Sequence, residues 1–384
     1  MMRGIQLGLV ALLATAAFAG EPRLRREGPF WVDVEKGSVQ APRSNIRIRT
    51  IGAVRVKGAA GGELSYVVVK RVKAGSEAQA RRLLNAYRVH ASRHGALTVL
   101  VMQGGSELAE LAVTVPMTAS EVTIETRAGA IDASQFDGAL KAETGAGAVT
   151  IGQVAGDVAA KTAGGDISLG KIGGNARCVS GGGTIRAGVI RGQASLETAG
   201  GDIMVQQVDG PVRCSTAAGG IHIAQAGDIV IADTAGGPID VDYAKGMVTA
   251  KNSSGGPIQV RTASGVTCES AGGGINLTSV GGSLKAETGV GSIIARFQTQ
   301  PVADSFLSTS HGDITVWIPS NLRVTVRAQN GSYGGSRRIV SEFPDIKVKA
   351  VGFATLAEGI LNGGGPLVRI AGSGGMIYIR REEK

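Results

Sequence analysis

The stretch from Val158 to Ile203 reads VAAKTAGGDISLGKIGGNARCVSGGGTIRAGVIRGQASLETAGGDI and contains one pattern three times, at a spacing of eighteen residues. In each copy a Thr or Ser precedes a turn glycine by three residues, and an isoleucine follows that glycine by two, as in Thr162, Gly165 and Ile167. A fixed period of this length predicts a repeat architecture, in which each repeat is one structural unit stacked on the next.

The pattern extends in both directions and gives ten consecutive repeats. The Thr/Ser position holds Thr126, Thr144, Thr162, Ser180, Thr198, Thr216, Thr234, Asn252, Ser270 and Thr288. The turn position holds Gly129, Gly147, Gly165, Gly183, Gly201, Gly219, Gly237, Gly256, Gly273 and Gly291. The eighth repeat gains one residue near Ser253 and loses it before Ser270, and a slip confined to a turn preserves the facing of the strands.

Apolar residues alternate within each repeat, as at Leu140 and Ala142 and then at Val149 and Ile151, with a further apolar corner at Val154. A period of two, interrupted by glycine turns, predicts two short strands and a corner per repeat. We therefore predict an all-β fold, a single-chain parallel β-solenoid (β-helix) of 18-residue coils. Chirality favours right-handed coiling, and glycine at the turn position is expected to supply a positive φ.

The composition agrees with a narrow aliphatic core. The 384 residues include 60 Gly but only 7 Phe, 5 Tyr and 2 Trp, and 43% are hydrophobic. Abundant glycine without a G-X-Y period and with only 11 Pro excludes collagen. The hydrophobic content argues against a disordered chain.

The three cysteines provide an independent check of the coil spacing. Cys178, Cys214 and Cys268 each lie two residues before the Thr/Ser position and therefore share one inward column. Two coils of separation is about 9.6 Å, beyond the Cα reach of a disulfide. We expect three buried free thiols, and neither a disulfide framework nor a metal cluster.

The segments that flank the repeats show the same alternation with looser spacing, and Leu367 to Ile379 reads as the last coil. One segment differs, because Ser76 and Gln79 form a capping box ahead of apolar residues at helical spacing. We divide the chain into a signal peptide at 1–19, N-terminal strands with a capping helix at about 76–87 within 20–120, a ten-coil solenoid at 121–297, and looser C-terminal coils with a cap at 298–384.

The N-terminus and the charge distribution bear on location and partners. Arg3, an apolar run from Ile5 to Phe18 and the triplet ending at Ala19 predict signal cleavage near Ala19. We expect an exported chain, periplasmic, cell-surface or extracellular, without a transmembrane anchor after cleavage. The net charge is +9, and residues 20–120 alone carry 16 Lys/Arg against 8 Asp/Glu. This basic region favours an anionic surface over nucleic acid as a partner.

Several motifs resemble a known family: Leu111-Ala-Val-Thr-Val-Pro116 leading into Glu121-Val-Thr-Ile, the iterated Thr-Ala-Gly-Gly-Asp-Ile at 162–167 and 198–203, and Gly312-Asp-Ile-Thr-Val-Trp-Ile-Pro319. They resemble the bacterial exported β-strand-repeat proteins catalogued as putative adhesins, a domain of unknown function. The resemblance covers nearly all of the mature chain. The resemblance implies an exported β-solenoid. It identifies no catalytic residue in this chain, because the family has no established catalytic residues. The turns here are richer in Gly and Ala than the Asn-Gly-Asp turns usual in that family.

The outward position before each Thr/Ser is acidic in six of the ten repeats. We expect a solvated strand face there, because lysines interrupt the row, and a ladder for a cation or glycan is the alternative. The six residues are Glu125, Glu143, Glu197, Asp233, Glu269 and Glu287. A calcium-binding nonapeptide roll does not fit, since Asp follows the turn glycine only at Asp166 and Asp202 among the ten coils.

No motif predicts a cofactor, a metal site or a catalytic constellation, and the four histidines, His90, His94, His222 and His311, are scattered along the chain. The sequence therefore favours a non-catalytic, adhesin-like binding or scaffolding protein of the cell envelope. An envelope polymer, a glycan or a surface protein would be its partner.

Two alternatives remain open. One is a carbohydrate-active β-helix enzyme, a polysaccharide lyase or hydrolase, with its acid and base among Asp132, Asp240 and Asp242. The other is an envelope-stress component that binds a membrane regulator through the basic segment 20–120.

Overall fold

A computed structural model describes residues 24–104, 109–331 and 338–382 of the chain. Within those ranges the chain forms thirty-six β-strands and one α-helix, so the predicted all-β fold with a short helix is confirmed. The predicted signal peptide at 1–19 lies outside the described residues. In the described part of the chain, no helix combines the length and apolar character needed to cross a membrane.

The elements before the repeats are β1 (Arg25–Glu27), β2 (Phe30–Gln40), β3 (Asn45–Thr50), β4 (Ala53–Ala59), β5 (Glu63–Lys73), α1 (Glu77–Leu84), β6 (Arg88–His94), β7 (Leu97–Gln103) and β8 (Glu110–Pro116). The repeats contribute β9 (Glu121–Thr126), β10 (Ile131–Ser134), β11 (Ala139–Thr144), β12 (Val149–Val154), β13 (Val158–Thr162), β14 (Ile167–Ile172), β15 (Ala176–Ser180), β16 (Ile185–Ile190), β17 (Ala194–Thr198), β18 (Ile203–Val208), β19 (Val212–Thr216), β20 (Ile221–Ala226), β21 (Val230–Thr234), β22 (Ile239–Ala244), β23 (Met247–Asn252), β24 (Ile258–Ala263), β25 (Gly265–Ser270), β26 (Ile275–Gly282), β27 (Leu284–Thr288) and β28 (Ile293–Val302). After them come β29 (Ser305–Thr309), β30 (Ile314–Pro319), β31 (Val324–Gly331), β32 (Ile339–Ser341), β33 (Lys347–Val351), β34 (Ala354–Leu361), β35 (Leu367–Gly372) and β36 (Ile377–Glu382).

Two long sheets enclose one core. Strands that end at the Thr/Ser position form the threonine sheet, and strands that follow the turn glycines form the isoleucine sheet. Neighbouring strands pair in parallel with an eighteen-residue register, for example Leu140 with Val158 and Ile131 with Val149. Inward side chains of both sheets are mostly aliphatic and are buried along the whole array. The parallel β-solenoid is therefore confirmed, and its handedness stays a prediction.

One coil is out of chain order at each end. Strands β3 and β4 pair with β9 and β10, while β7 and β8 lie outside them. At the other end β35 and β36 pair with β29 and β30, while β31 and β32 lie outside. The prediction that Leu367 to Ile379 is the last coil is therefore wrong. The antiparallel strands β31, β34 and β33 form the outer wall, so the inner position is left to the chain's final coil.

The turn glycines are required by close stacking. None of the ten has a positive φ, so the expectation of a left-handed turn at this position is wrong. Instead, a Cβ on Gly165 would overlap the carbonyl oxygen of Gly147, and one on Gly201 would overlap that of Gly183. All ten glycines meet the backbone of the preceding coil in this way. By contrast, the adjacent Gly164 has open space around its Cβ position.

The Thr/Ser hydroxyls connect successive turns. Thr198 Oγ1 donates a hydrogen bond of 2.8 Å to the carbonyl of Gly183, one coil earlier, and accepts one from Gly201 N. The pattern repeats along the array, and Asn252 makes the equivalent contact with Gly237 through its amide at 2.6 Å. Each of these side chains therefore links the turn of its own coil to the turn of the coil before it.

The three cysteines are buried, free and in one inward column, as predicted. Burial in an apolar environment raises the pKa of Cys178 to about 12 and raises the pKa of Cys214 and Cys268 as well. The native thiols are therefore unreactive at neutral pH, because the thiolate is the nucleophile.

The N-terminal cap contains the helix. Ser76 caps α1 by accepting a hydrogen bond from Gln79 N, and the Gln79 side chain accepts one from Gly75 N. The helix ends at Leu84, three residues short of the predicted 87, and it buries Ala80 and Leu84. Trp31 packs nearby, since its indole Nε1 donates to the Ala74 carbonyl at 3.1 Å.

Candidate functional site

The predicted acidic residues lie in one row on the outer face of the threonine sheet. Strand register aligns Glu125, Glu143, Lys161, Val179, Glu197, Ser215, Asp233, Lys251, Glu269 and Glu287 across successive coils. All six carboxylates are exposed or half-buried. Adjacent carboxylates at strand spacing occur twice, at Glu125 with Glu143 and at Glu269 with Glu287.

Basic side chains compensate most of this row. Lys161 Nζ lies 3.3 Å from Glu143, and Arg49 Nε lies 2.8 Å from Glu125. Lys285 bridges the second close pair: its Nζ is 3.1 Å from one carboxylate and 3.4 Å from the other. The hydrogen bond to Glu287 and its charge, followed by those of Glu269, raise the pKa of Lys285.

The carboxylates of Asp233 and Glu197 differ in whether a basic side chain lies near them. Asp233 lies 3.9 Å from Arg213, whereas Glu197 has no ion-pair partner among the described residues. The row is thus a surface of mixed charge, and its role in binding stays a prediction.

A shallow groove of about 390 Å³ runs along the N-terminal part of this face. Its walls carry both signs of charge, including Glu121, Lys141 and Arg177. A hydrogen bond from Lys141 is the main cause that lowers the pKa of Glu121. The groove is open along its length, so it can accommodate an extended partner but does not enclose a small molecule.

The isoleucine sheet carries a second cluster, formed by His222 on β20, Asp240 and Asp242 on β22, and Arg261 on β24. His222 Nδ1 is 3.6 Å from Asp240 Oδ2, and its Nε2 is 3.9 Å from Asp242 Oδ2. Arg261 contacts Asp242 and lies 3.5 Å from Asp240. The four side chains are between one third and one half exposed.

This cluster has the donor types that divalent cations use. One ligand atom each from His222, Asp240 and Asp242 can be chosen so that all three lie within 4.8 Å of one another. Imidazole and carboxylate together suit Zn²⁺ or a similar ion. The Arg261 guanidinium already supplies positive charge at the same carboxylates, so the cluster is compensated without a metal.

The cluster is partly visible in the sequence. Asp240 and Asp242 are predicted candidates, but His222 reads as an isolated histidine. Adding one period of eighteen to 222 gives 240, which places His222 in register with Asp240. Arg261 lies nineteen residues after Asp242 because the intervening coil is one residue longer. The third candidate, Asp132, pairs with Arg55 at 3.2 Å and lies six coils, about 29 Å, from Asp240.

These features define a class: a parallel β-solenoid with long, open, charge-paired faces. The chain belongs to the Toastrack DUF4097 family, whose model matches residues 45–337. The resemblance to a repeat family of putative adhesins is therefore confirmed. No curated protein is significantly similar to this chain.

Several solved structures are similar to the chain at low identity. A putative cell adhesion protein from Clostridium sporogenes is 7% identical, covering 92% of this chain and 100% of its own, with a TM-score of 0.18. A putative adhesin from Bacteroides fragilis is 13% identical (74% and 95% covered, TM-score 0.24). One from Parabacteroides merdae is 12% identical (74% and 95% covered, TM-score 0.26). Similarities this weak carry no argument about function.

Proposed function

We propose that this chain is a non-catalytic, exported solenoid that binds or scaffolds at the bacterial cell envelope. The observation that carries the proposal is the outer surface of the threonine sheet, which keeps one register over ten coils and carries paired charges of both signs. Repeat proteins use such extended surfaces to contact long or repetitive partners. An envelope polymer, a glycan or an array of surface proteins matches this geometry, whereas a small substrate needs an enclosing cavity.

The basic N-terminal segment, residues 20–120, adds a second contact surface, which has a net positive charge. Its sequence has an excess of eight positive charges, and its described strands form one end of the solenoid. The summed field of these charges attracts anionic envelope components. A partner that contacts both this end and the threonine sheet would be held along the length of the solenoid.

Binding to isolated bacterial envelopes tests the proposal. A single exposed cysteine, introduced as Glu63→Cys, accepts a maleimide dye while the three buried thiols do not react. The labelled protein is expected to bind envelopes saturably, and excess unlabelled protein is expected to displace it. The same singly labelled protein, unfolded by heat after labelling, serves as the control for non-specific adsorption. Non-saturable binding of the folded protein would contradict the proposal.

A carbohydrate-active enzyme is the second candidate, and the observation that favours it is the cluster of Asp240, Asp242 and His222. Close carboxylates with a nearby imidazole can act as general acid and base on a glycosidic bond. Reducing-end and unsaturated-product assays across a polysaccharide panel test it. Turnover that is lost in Asp242→Asn and retained in the matched surface variant Asp166→Asn would establish an enzyme; no turnover on any polymer would exclude this candidate for the panel.

A further inference from the structure

An aromatic and basic cluster lies on the exposed face of the isoleucine sheet near its C-terminal end. The register of β28, β30 and β36 places Arg296, Trp317 and Arg380 side by side in one row across three strands. Tyr378 lies two residues before Arg380 on β36 and points to the same face. Trp317 and Tyr378 are both half-buried, so one surface of each side chain remains in contact with solvent. We call these four residues the Arg-Trp-Arg platform.

The platform is held together by stacking. The guanidinium carbon of Arg296 is 4.9 Å from the centroid of the Trp317 ring, and that of Arg380 is 5.8 Å from it on the other side of the row. Arg380 also lies 5.2 Å from the centroid of the Tyr378 ring. Stacked guanidiniums are held in place by the rings, so less side-chain entropy is lost when their N–H groups bind a ligand.

The platform differs from the ten repeats in its exposed aromatic side chains. Only three aromatic residues occur between residues 121 and 297, and two of them, Phe136 and Phe297, are buried in the core. Tyr243 is the third, and it is exposed without a neighbouring aromatic strand position in register. Exposed aromatic and arginine side chains on adjacent strands are the composition that binding surfaces favour.

The arginines are available to a ligand. Arg380 Nη1 is 2.8 Å from Glu342, and Arg296 Nη1 is 3.5 Å from Glu382. Exposed ion pairs of this kind contribute little to stability, and each guanidinium has five N–H donors, so an incoming anion can use the remaining ones or displace the glutamate.

We propose that the Arg-Trp-Arg platform binds a carboxylated polysaccharide, with uronate carboxylates paired with Arg296 and Arg380 and the intervening sugar packed on the part of Trp317 that the two guanidiniums leave exposed. The two arginines are two strands apart, about 9.6 Å, which is too far for one carboxylate but fits two uronate units that are separated by one sugar in a polymer that crosses the strands. The ring between them matches the apolar face of the intervening sugar. This inference deepens the proposed envelope binding by naming the partner's chemistry, and it rests on that proposal for its biological setting.

Fluorescence of Trp317 tests this directly, because the chain has only two tryptophans. In the Trp31→Phe variant, Trp317 is the remaining reporter, and polygalacturonate is expected to change its emission saturably while neutral dextran does not. The double variant Arg296→Gln/Arg380→Gln is expected to bind polygalacturonate at least tenfold more weakly. Calorimetry with the wild-type chain gives the same comparison without the Trp31→Phe substitution.

A matched control removes two ion-paired arginines outside the platform and outside the basic N-terminal segment, Arg186 and Arg327, which lie 3.5 and 3.2 Å from Asp166 and Glu358. Arg186→Gln/Arg327→Gln has the same charge change and is expected to bind polygalacturonate like the wild type. Equal weakening in both double variants, no response to polygalacturonate, or tighter binding of an oligo(dT) strand would overturn the inference.

The two proposals fail separately. If the wild-type chain binds envelopes saturably but does not bind polygalacturonate, the platform's ligand is wrong and the envelope proposal stands. If polygalacturonate binds at the platform but envelopes do not bind, the envelope proposal is wrong.

Discussion

In the ten repeats each strand pairs in parallel with the strand one coil away, eighteen residues except around the eighth repeat. The ends, by contrast, pair strands that are distant in sequence or antiparallel. Ser305 pairs with Val368, and Ile46 pairs with Val122. The outermost strands are antiparallel additions, β6 on β7 and β33 on β34. The middle therefore gains its stability from one interaction repeated many times, and each end depends on contacts made once.

The outer edges also differ from the middle in charge. Edge strand β6 carries Arg88 and Arg93, and edge strand β33 carries Lys347 and Lys349, all of them exposed. Charged side chains on an unpaired edge oppose pairing with another chain. Without the caps, the stack of parallel strands would present an unpaired edge at each end. The caps therefore prevent the repeats from pairing with another chain.

The largest expected contrast comes from removing one coil from each region. Deleting residues 163–180 joins Thr162 to Gly181 and keeps every column in register, so we expect a soluble, folded monomer one coil shorter. Deleting residues 367–384 removes the coil that lies between β29/β30 and β31/β32, so we expect aggregation or rapid proteolysis. Size-exclusion chromatography and limited proteolysis distinguish the two, and equal behaviour would show that the end is no more dependent on single contacts than the middle.

Two adjacent glycines test the stacking of the repeats. Gly165→Ala is expected to destabilise the protein by about 3 kcal/mol, because its Cβ would overlap the Gly147 backbone and force the coils apart. Gly164→Ala is expected to change stability by less than about 0.5 kcal/mol, since its Cβ position is open. Urea denaturation measures both. A similar cost at the two positions would contradict the stacking explanation.

A smaller effect is expected from the hydroxyl column. Thr198→Val keeps the shape of the side chain but leaves the Gly183 carbonyl without its hydrogen bond, at an expected cost of about 1–2 kcal/mol. Thr150→Val, at an exposed outward position of β12, serves as the control and should be nearly neutral. If the midpoint of urea unfolding is the same for both variants, the hydroxyl column does not stabilise the stack.

The smallest effect is local to the N-terminal cap. Ser76→Ala removes the N-cap of α1 and is expected to cost about 1 kcal/mol, whereas Ser76→Asp retains an acceptor for Gln79 N and should restore most of it. Hydrogen exchange of the helix amides measures the change locally. Equal loss of protection across the repeats would mean that the cap and the array do not unfold separately.

The sequence predicts the repeats well because their pattern is local and periodic. One coil contains all the information that places Thr162, Gly165 and Ile167, and stacking copies it. The reason for the glycine is not predictable in the same way, because both a left-handed turn and a close backbone contact require glycine. Only the positions of the neighbouring backbone atoms distinguish the two.

The ends and the platform are harder to predict because their contacts do not follow the period. Trp317 lies 21 residues after Arg296 and 63 residues before Arg380, and the alternating pattern is the same whether β35 lies inside or outside β31. The pairing of His222 with Asp240 is predictable from the sequence, since the two residues are one period of eighteen apart. A site in a repeat protein is therefore best sought by adding the period to each chemically active residue.

The coil order at the ends has a consequence for the time course of folding. A chain is synthesised with its N-terminus first. The N-terminal end of the stack uses only residues up to Ser134, so it can be complete before most of the chain has emerged, and it then offers an edge on which each later coil is added. The C-terminal end cannot close until Ile379 has arrived, because its final coil must enter between strands that precede it. Any premature release of the chain therefore leaves this end unclosed.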